Sequence, residues 1–242
     1  MAKKDKRGKR RKNRKKAGPS MAELADRHEL YEASVQSVEN EVEFLETAFT
    51  ALTGRKPRHL REDFCGTAAA ACEWVRSNRR HTAVGVDIDP EVLESWWTFR
   101  TREKLLRYFR AVRRSLATDG VFFLDIYGGS DAYAESEEET DYDEFTYVWD
   151  QHRFDPLTAD YTCYIHFRFP DGSELHRAFG YQWRLWTLPE LRELLAEAGF
   201  AKSVVYWQTS DEDGEHTGEF EPVTSGDADP AWITYVAACK AG

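Results

Sequence analysis

The segment that decides the fold is Leu60-Arg61-Glu62-Asp63-Phe64-Cys65-Gly66-Thr67. It lies where a predicted strand, 58–64, turns into an Ala-rich predicted helix, 67–77. A buried strand, 83–87, follows, and Asp89-Pro90-Glu91 then has the N-cap, the proline and the first-turn acid that open a helix. Strand, helix, strand and helix in this order predict a βαβ unit in a parallel sheet.

The strand-to-helix turn in this segment is a predicted binding site for a nucleoside. Parallel sheets bind nucleotide-like ligands at the carboxyl ends of their strands, where a small residue lets the backbone approach the ligand. Gly66 is that small residue, and Asp87, 21 residues further on, can accept both ribose hydroxyls. A dinucleotide site would need three glycines, but Phe64 and Ala68 occupy two of those places. The nearby acid Glu62 would repel a pyrophosphate and can instead hold an ammonium group.

At these residues the sequence resembles the class I S-adenosylmethionine-dependent methyltransferases, in particular bacterial ones with an Arg-Glu-Asp-Phe-Cys-Gly-Thr turn. The resemblance covers residues 27–242 and includes Trp183–Glu190 and Glu197–Phe200. It implies an α/β fold with a Rossmann-like methyltransferase sheet, one reversed strand near the C-terminus, S-adenosylmethionine as the cofactor, and a small-molecule methyl acceptor. The cofactor-binding residues that it implies are Glu62, Phe64, Cys65, Gly66, Thr67, Asp87, Ile88 and Tyr31. For Tyr31, core packing is an equally good interpretation.

One segment of the family pattern is missing near residues 95–98. The pattern expects a third strand, a helix and a fourth strand before helix 101–116, whereas Ser95-Trp96-Trp97-Thr98-Phe99 leads into that helix directly. About fifty residues are absent, judged from ordinary element and loop lengths. A catalytically impaired, methyltransferase-like binding protein is therefore the second hypothesis. We also expect strand 121–126 to pair with strand 58–63, because an open edge inside a sheet leaves backbone groups unpaired.

The second half of the chain predicts an antiparallel layer beside the shortened sheet. The acidic segment 131–144 is interpreted as a loop. Three segments rich in aromatic and β-branched residues follow it: 145–153, 161–169 and 174–186. They predict a meander, 145–186, inserted before the last helix, which opens with the capping box Thr187–Glu190. His166 and Trp183 are candidates either for a substrate pocket or for packing within this layer.

Charge divides the chain into a basic tail and an acidic body. The 242 residues have a net charge of −10, although residues 1–16 alone hold eleven Lys or Arg and one acid. We interpret residues 1–20 as a disordered, solvated tail and 21–242 as the methyltransferase domain. The alternative is that residues 3–16 contact RNA or ribosomes through counterion release.

Other classes of protein and site are disfavoured by what the sequence lacks. The chain has no apolar run of about 18 residues and no apolar N-terminal signal region, so we expect a cytoplasmic protein without a membrane span. Its four cysteines are scattered, which predicts reduced thiols and no metal site. No catalytic residue is assigned, because methyl transfer depends mainly on alignment of the acceptor and exclusion of water.

Overall fold

A computed structural model describes residues 18–35, 38–87, 95–210 and 216–241 of the chain. The helices within these ranges are α1 (Met21–Leu24), α2 (Arg27–Val35), α3 (Val38–Thr53), α4 (Ala69–Ser77), α5 (Arg102–Ser115) and α6 (Leu188–Ala198). The strands are β1 (His59–Asp63), β2 (Thr82–Val86), β3 (Val121–Gly128), β4 (Ser136–Asp141), β5 (Thr146–Asp155), β6 (Asp160–Arg168), β7 (Glu174–Arg184), β8 (Lys202–Ser210), β9 (His216–Val223) and β10 (Trp232–Cys239). None of the helices in these ranges is long and apolar enough to cross a membrane.

The described strands form a parallel pair, a four-stranded sheet and an antiparallel meander. β1 and β2 are parallel, in register from His59 opposite Thr82 to Asp63 opposite Val86. A four-stranded sheet has the order β3-β10-β8-β9, and β10 runs antiparallel to both of its neighbours. β9 and β10, near the C-terminus, both run opposite to β3 and β8, so two strands are reversed where one was expected. β4, β5, β6 and β7 form the meander before the last helix, which confirms the predicted fold class.

The expected pairing of strand 121–126 with strand 58–63 is wrong. In the described part of the chain, β1 pairs with β2 and β3 pairs with β10, and no ladder joins β1 to β3. Side chains occupy the space between them instead. The Trp96 indole donates a hydrogen bond to the backbone oxygen of Asp125 at 3.2 Å, and the Tyr108 hydroxyl donates to Asp63 at 3.0 Å. The Trp96 indole thus satisfies one backbone acceptor of β3 from a side chain.

The prediction of a loop over 131–144 is also wrong in part. β4 lies within this segment and pairs with β5, from Ser136 opposite Gln151 to Asp141 opposite Thr146. All its residues are exposed, so the strand lacks the apolar alternation by which a strand is recognised in a sequence. Tertiary pairing with β5 decided its structure.

Two hydrophobic clusters hold the four-stranded sheet and position its helices. The larger one joins α5, α6, β3 and the inner face of the meander. The smaller one lies under α3, where the ring of Phe44 stacks on Tyr235 at 4.6 Å and meets Phe123 edge-on at 6.0 Å. α3 therefore crosses the β3–β10 pair on the face opposite to α5 and α6.

Candidate active site

The turn after β1 has an unusual backbone. Phe64, Gly66 and Ala68 all have positive φ, at 61°, 49° and 59°. Left-handed φ at a non-glycine residue costs roughly 1–3 kcal/mol. The Phe64 N–H donates to the Val86 carbonyl at 2.8 Å, which ties the turn to the end of β2. Phe64 and Ala68 thus keep a backbone that favours glycine, at the two places where the general family motif has glycines.

Glu62 and Asp87 both approach this turn. Oδ2 of Asp87 accepts the Gly66 N–H at 2.8 Å, and Oε2 of Glu62 accepts the N–H of Ala71, in the first turn of α4, at 3.0 Å. Burial raises the pKa of Glu62, and the Asp87 carboxylate raises it further, whereas the Ala71 N–H opposes the shift. Two carboxylates beside a small residue make this end of the parallel pair suited to a ligand with hydroxyl and cationic groups.

Cys65 and Thr67 complete the turn in different ways. A Cβ added to Gly85 would lie 2.8 Å from Sγ of Cys65, so the thiol packs against a position that only glycine can occupy. Burial raises the pKa of the Cys65 thiol, and Glu62 raises it further, which disfavours a nucleophilic thiolate. The Thr67 hydroxyl is buried without a hydrogen-bond partner in the described chain. Ile88, the remaining predicted contact at this turn, lies outside the described residues.

Aromatic side chains from segment 95–99, which precedes α5, lie between the turn and the meander. Phe99 lies 6.0 Å from Phe64 and stacks on Tyr108 at 4.8 Å. Trp96 and Trp97 stack at 4.7 Å, and Trp97 lies 6.3 Å from Trp183 of β7. Residues 96–99 thus form an aromatic cluster that contacts both the turn and the meander.

A second pair of acids, missed by sequence reasoning, lies across this space. Phe44 of α3 packs on Phe123 of β3. Glu41 is one helical turn before Phe44 on the same face of α3, and Asp125 is two residues beyond Phe123 on the same face of β3. The two carboxylates therefore face each other. A signal was present, since Asp125 is the single acid within the apolar strand Val121–Ile126.

The surroundings make both of these acids weak. Burial raises the pKa of Glu41 to about 7, and the charges of Asp125 and Glu62 contribute to this shift. Asp125 is reached by solvent but has protein on all sides, as a residue that lines a cleft does, and burial raises its pKa as well. At neutral pH a carboxyl group with a pKa near 7 can either give or accept a proton.

Tyr31 borders the same acids. Its ring lies 5.3 Å from Phe179, and its hydroxyl is hydrogen-bonded to Tyr181, both on β7. Burial raises its pKa to about 12, and Asp125 and Glu41 raise it in the same direction. Tyr31 thus packs against the meander and also approaches Asp125 and Glu41. Trp183 contacts Trp97 of the aromatic cluster, whereas His166 lies on the other face of the meander, away from this site.

No protein-family profile matches the sequence, and no curated protein matches it. Several solved structures share its fold. An S-adenosylmethionine-dependent methyltransferase from Clostridium acetobutylicum is 15% identical, with 86% of this chain and 96% of that chain covered and a TM-score of 0.55. DesVI from Streptomyces venezuelae is 13% identical, with 87% of this chain and 98% of that chain covered and a TM-score of 0.56. The sugar N-methyltransferase KedS8 from a Streptoalloteichus species is 14% identical, with 97% of this chain and 98% of that chain covered and a TM-score of 0.53. These similarities establish a Rossmann-like methyltransferase fold.

Proposed function

We propose that this protein transfers a methyl group from S-adenosylmethionine to a small-molecule acceptor. The observation that carries the proposal is that the carboxylates of Glu62 and Asp87 both approach the turn at Gly66, at the carboxyl end of a parallel strand pair. The fold supports it, because the solved structures that share it include S-adenosylmethionine-dependent methyltransferases.

The residues at the turn suit this cofactor. Asp87 would accept the ribose hydroxyls, and Glu62 would hold the ammonium group of the methionine part. The unpartnered Thr67 hydroxyl fits a polar ligand group, since a buried hydroxyl is usually hydrogen-bonded. Phe64, Cys65, Ile88 and Tyr31 would complete the surroundings. When bound, S-adenosylmethionine supplies a methyl carbon made electrophilic by its sulfonium.

The second acid pair favours an amine as the methyl acceptor. Glu41 and Asp125 would attract an ammonium group, and the rings of Tyr31 and Trp96 next to them favour a cation as well. The amine must lose a proton before its nitrogen lone pair can accept a methyl group. Glu41, with a pKa of about 7, can take that proton at neutral pH. The sugar N-methyltransferase KedS8, which has the same fold, supports this class of acceptor.

Titration calorimetry with S-adenosylhomocysteine tests the cofactor site. Asp87→Ala should weaken binding by roughly 1.5–3 kcal/mol, about 10- to 150-fold in Kd, because a charged acceptor is lost. Asp227→Ala, which removes an exposed acid in the loop before β10, is the matched control and should bind like the wild type. Equal binding by Asp87→Ala, or no binding by the wild type, would contradict the proposal.

A catalytically impaired binding protein is the second candidate. The observation that favours it is the separation of β1 and β2 from the four-stranded sheet, because the strands that usually wall the adenine are not among the described elements. A methyl-transfer assay with a panel of amines distinguishes the two candidates. Cofactor binding without transfer supports the second candidate, and transfer supports the first.

The tail is a separate part of this proposal. We propose that residues 1–20 form a tail ahead of the methyltransferase domain. Within this tail, residues 3–16 are proposed to make weak RNA contacts. Residues 1–17 lie outside the described residues. Fluorescence anisotropy with a short RNA, comparing the full chain with a deletion of residues 1–20, tests this contact. Any affinity should disappear with the deletion and fall steeply with salt.

A further inference from the structure

The outer face of the meander carries ionisable side chains that the proposed methyl transfer does not use. His166 pairs with Val148, so both side chains point away from the face that carries Ile165 and Phe167. His166 is nevertheless only 3% exposed. Three ionisable neighbours surround it on the adjacent strands: Asp150 on β5, and Glu174 and His176 on β7.

A β-bulge brings the two residues of β7 towards His166. The register of β6 against β7 shifts at this histidine, so β7 has extra residues opposite it. Within the bulge, Arg177 has a φ of 52°, and its backbone N–H donates to Nδ1 of His166 at 3.0 Å. The rings of His166 and His176 consequently lie 4.5 Å apart.

Donor atoms from three side chains converge at this bulge. Oε1 of Glu174 is 3.8 Å from Nδ1 of His166 and 3.8 Å from Nδ1 of His176. One ligand atom from each of the three residues lies within 4.8 Å of the others. A tetrahedral zinc site, with bonds of about 2.0–2.1 Å to nitrogen, holds its ligand atoms about 3.3–3.5 Å apart. Small rotations of the two solvent-accessible side chains, Glu174 and His176, would bring the ligand atoms to this tetrahedral spacing.

Asp150 holds the buried ring in a state suited to metal binding. Its Oδ2 lies 3.3 Å from Nε2 of His166, so that nitrogen carries the proton and Nδ1 keeps its lone pair. Metal-bound histidines commonly donate their second ring N–H to a carboxylate in this way. The Arg177 N–H shares the Nδ1 lone pair, so a metal must displace one backbone hydrogen bond. Glu174 is also 3.7 Å from Arg168, an arginine that two further glutamates already pair.

We propose that His166, Glu174 and His176 bind a divalent transition-metal ion, with Zn²⁺ as the best fit and water as the fourth ligand. Two imidazoles and one carboxylate suit Zn²⁺ and similar first-row ions, whereas Ca²⁺ and Mg²⁺ prefer oxygen ligands. The ion links β6 to β7 and stabilises the meander. The sequence did not suggest it, because the two histidines are ten residues apart on different strands and follow no metal-binding signature.

Calorimetric titration of the tag-free, EDTA-treated full chain with ZnCl₂ tests the site. One ion per chain should bind, and a hundredfold excess of Zn²⁺ over Kd should raise Tm by roughly 5–11 °C. His176→Ala should weaken binding at least about tenfold, and Asp150→Asn about 10- to 100-fold. His152→Ala is the matched control, because His152 is half exposed and 3.5 Å from Asp150 but is not one of the three ligands. It should bind Zn²⁺ like the wild type.

Two results would overturn this site. One is the absence of saturable Zn²⁺ binding by the wild type, and the other is a loss of binding in His152→Ala but not in His176→Ala. Glu174→Gln provides a second variant if His176→Ala does not fold. Visible absorption of bound Co²⁺ reports tetrahedral coordination independently. These results do not depend on whether S-adenosylhomocysteine binds, so the metal site and the proposed activity can fail separately.

Discussion

The region that carries the turn from Glu62 to Thr67 has much less supporting core than the rest of the molecule. In the turn region, defined here as residues 59–87, Val84 and Val86 are 60% and 43% exposed, and Trp74 is the large side chain that is buried. In the core region, which extends from α5 to β10, Leu105 and Phe109 have no exposed surface. The residues proposed to bind the cofactor thus lie on the less supported part of the fold.

This difference suggests why a ligand matters to the turn region. The turn contains two non-glycine residues with positive φ, Phe64 and Ala68, and its two carboxylates repel each other. Segments with few buried apolar contacts open at low free energy and are often those that bind ligands. A bound nucleoside with a cationic group would offset the repulsion between the carboxylates and stabilise the turn region by mass action.

The largest effect should come from truncation in the core region. Phe109→Ala should lower the free energy of unfolding by about 3–5 kcal/mol, because a fully buried ring leaves a cavity. Val86→Ala, in the turn region, should lower it by less than about 1 kcal/mol, since much of that side chain is already in water. Guanidinium unfolding measures both. Similar losses for the two variants would remove the distinction between the regions.

An intermediate, pH-dependent effect is expected for Glu41, which lies between the regions. Its pKa is raised from 4.5 to about 7, so the folded state binds the proton more tightly than the unfolded chain does. The contribution of this proton to the free energy of unfolding is fully present below about pH 4.5 and is lost as the pH rises through about 7. By pH 8 the loss should be roughly 1–2 kcal/mol, after allowance for the partial exposure of Glu41.

Glu41→Gln removes this titration. The variant should be more stable than the wild type at pH 8, and the difference should shrink towards pH 5. Glu43→Gln, two residues further along α3 and exposed, is the control and should change stability little at either pH. Thermal unfolding at both pH values provides the measurement. A Glu41→Gln protein that is less stable than the wild type at pH 8 would contradict the raised pKa.

The smallest effect is expected on the open face of β2. Val84→Lys should change the free energy of unfolding by no more than about 0.5 kcal/mol, because the side chain is mostly in water. It should also reduce any self-association, since a charge disfavours pairing of exposed strands. Thermal unfolding and light scattering measure the two outcomes. A large loss of stability would show that this face is covered in solution.

Much of the fold could be predicted because its signals are local. The turn from Glu62 to Thr67, the βαβ order, the helix that opens with Thr187 and the three aromatic strands each follow from spacing within a few residues. β4 was missed because both of its faces are exposed, so it has no alternating pattern. The pairing of strand 121–126 with strand 58–63 was wrong because side chains that are distant in sequence, Trp96 among them, occupy the space between the strands.

The sequence by itself determined which residues form the turn after β1, because a turn with one glycine and flanking acids is a property of neighbours along the chain. Only the tertiary structure decided what faces that turn. Glu41 lies opposite Asp125 because Phe44 packs on Phe123, and the donors of His166, Glu174 and His176 converge because a bulge shifts one strand against another. Both arrangements depend on contacts between elements, and residue spacing carries no information about how two separate elements pack.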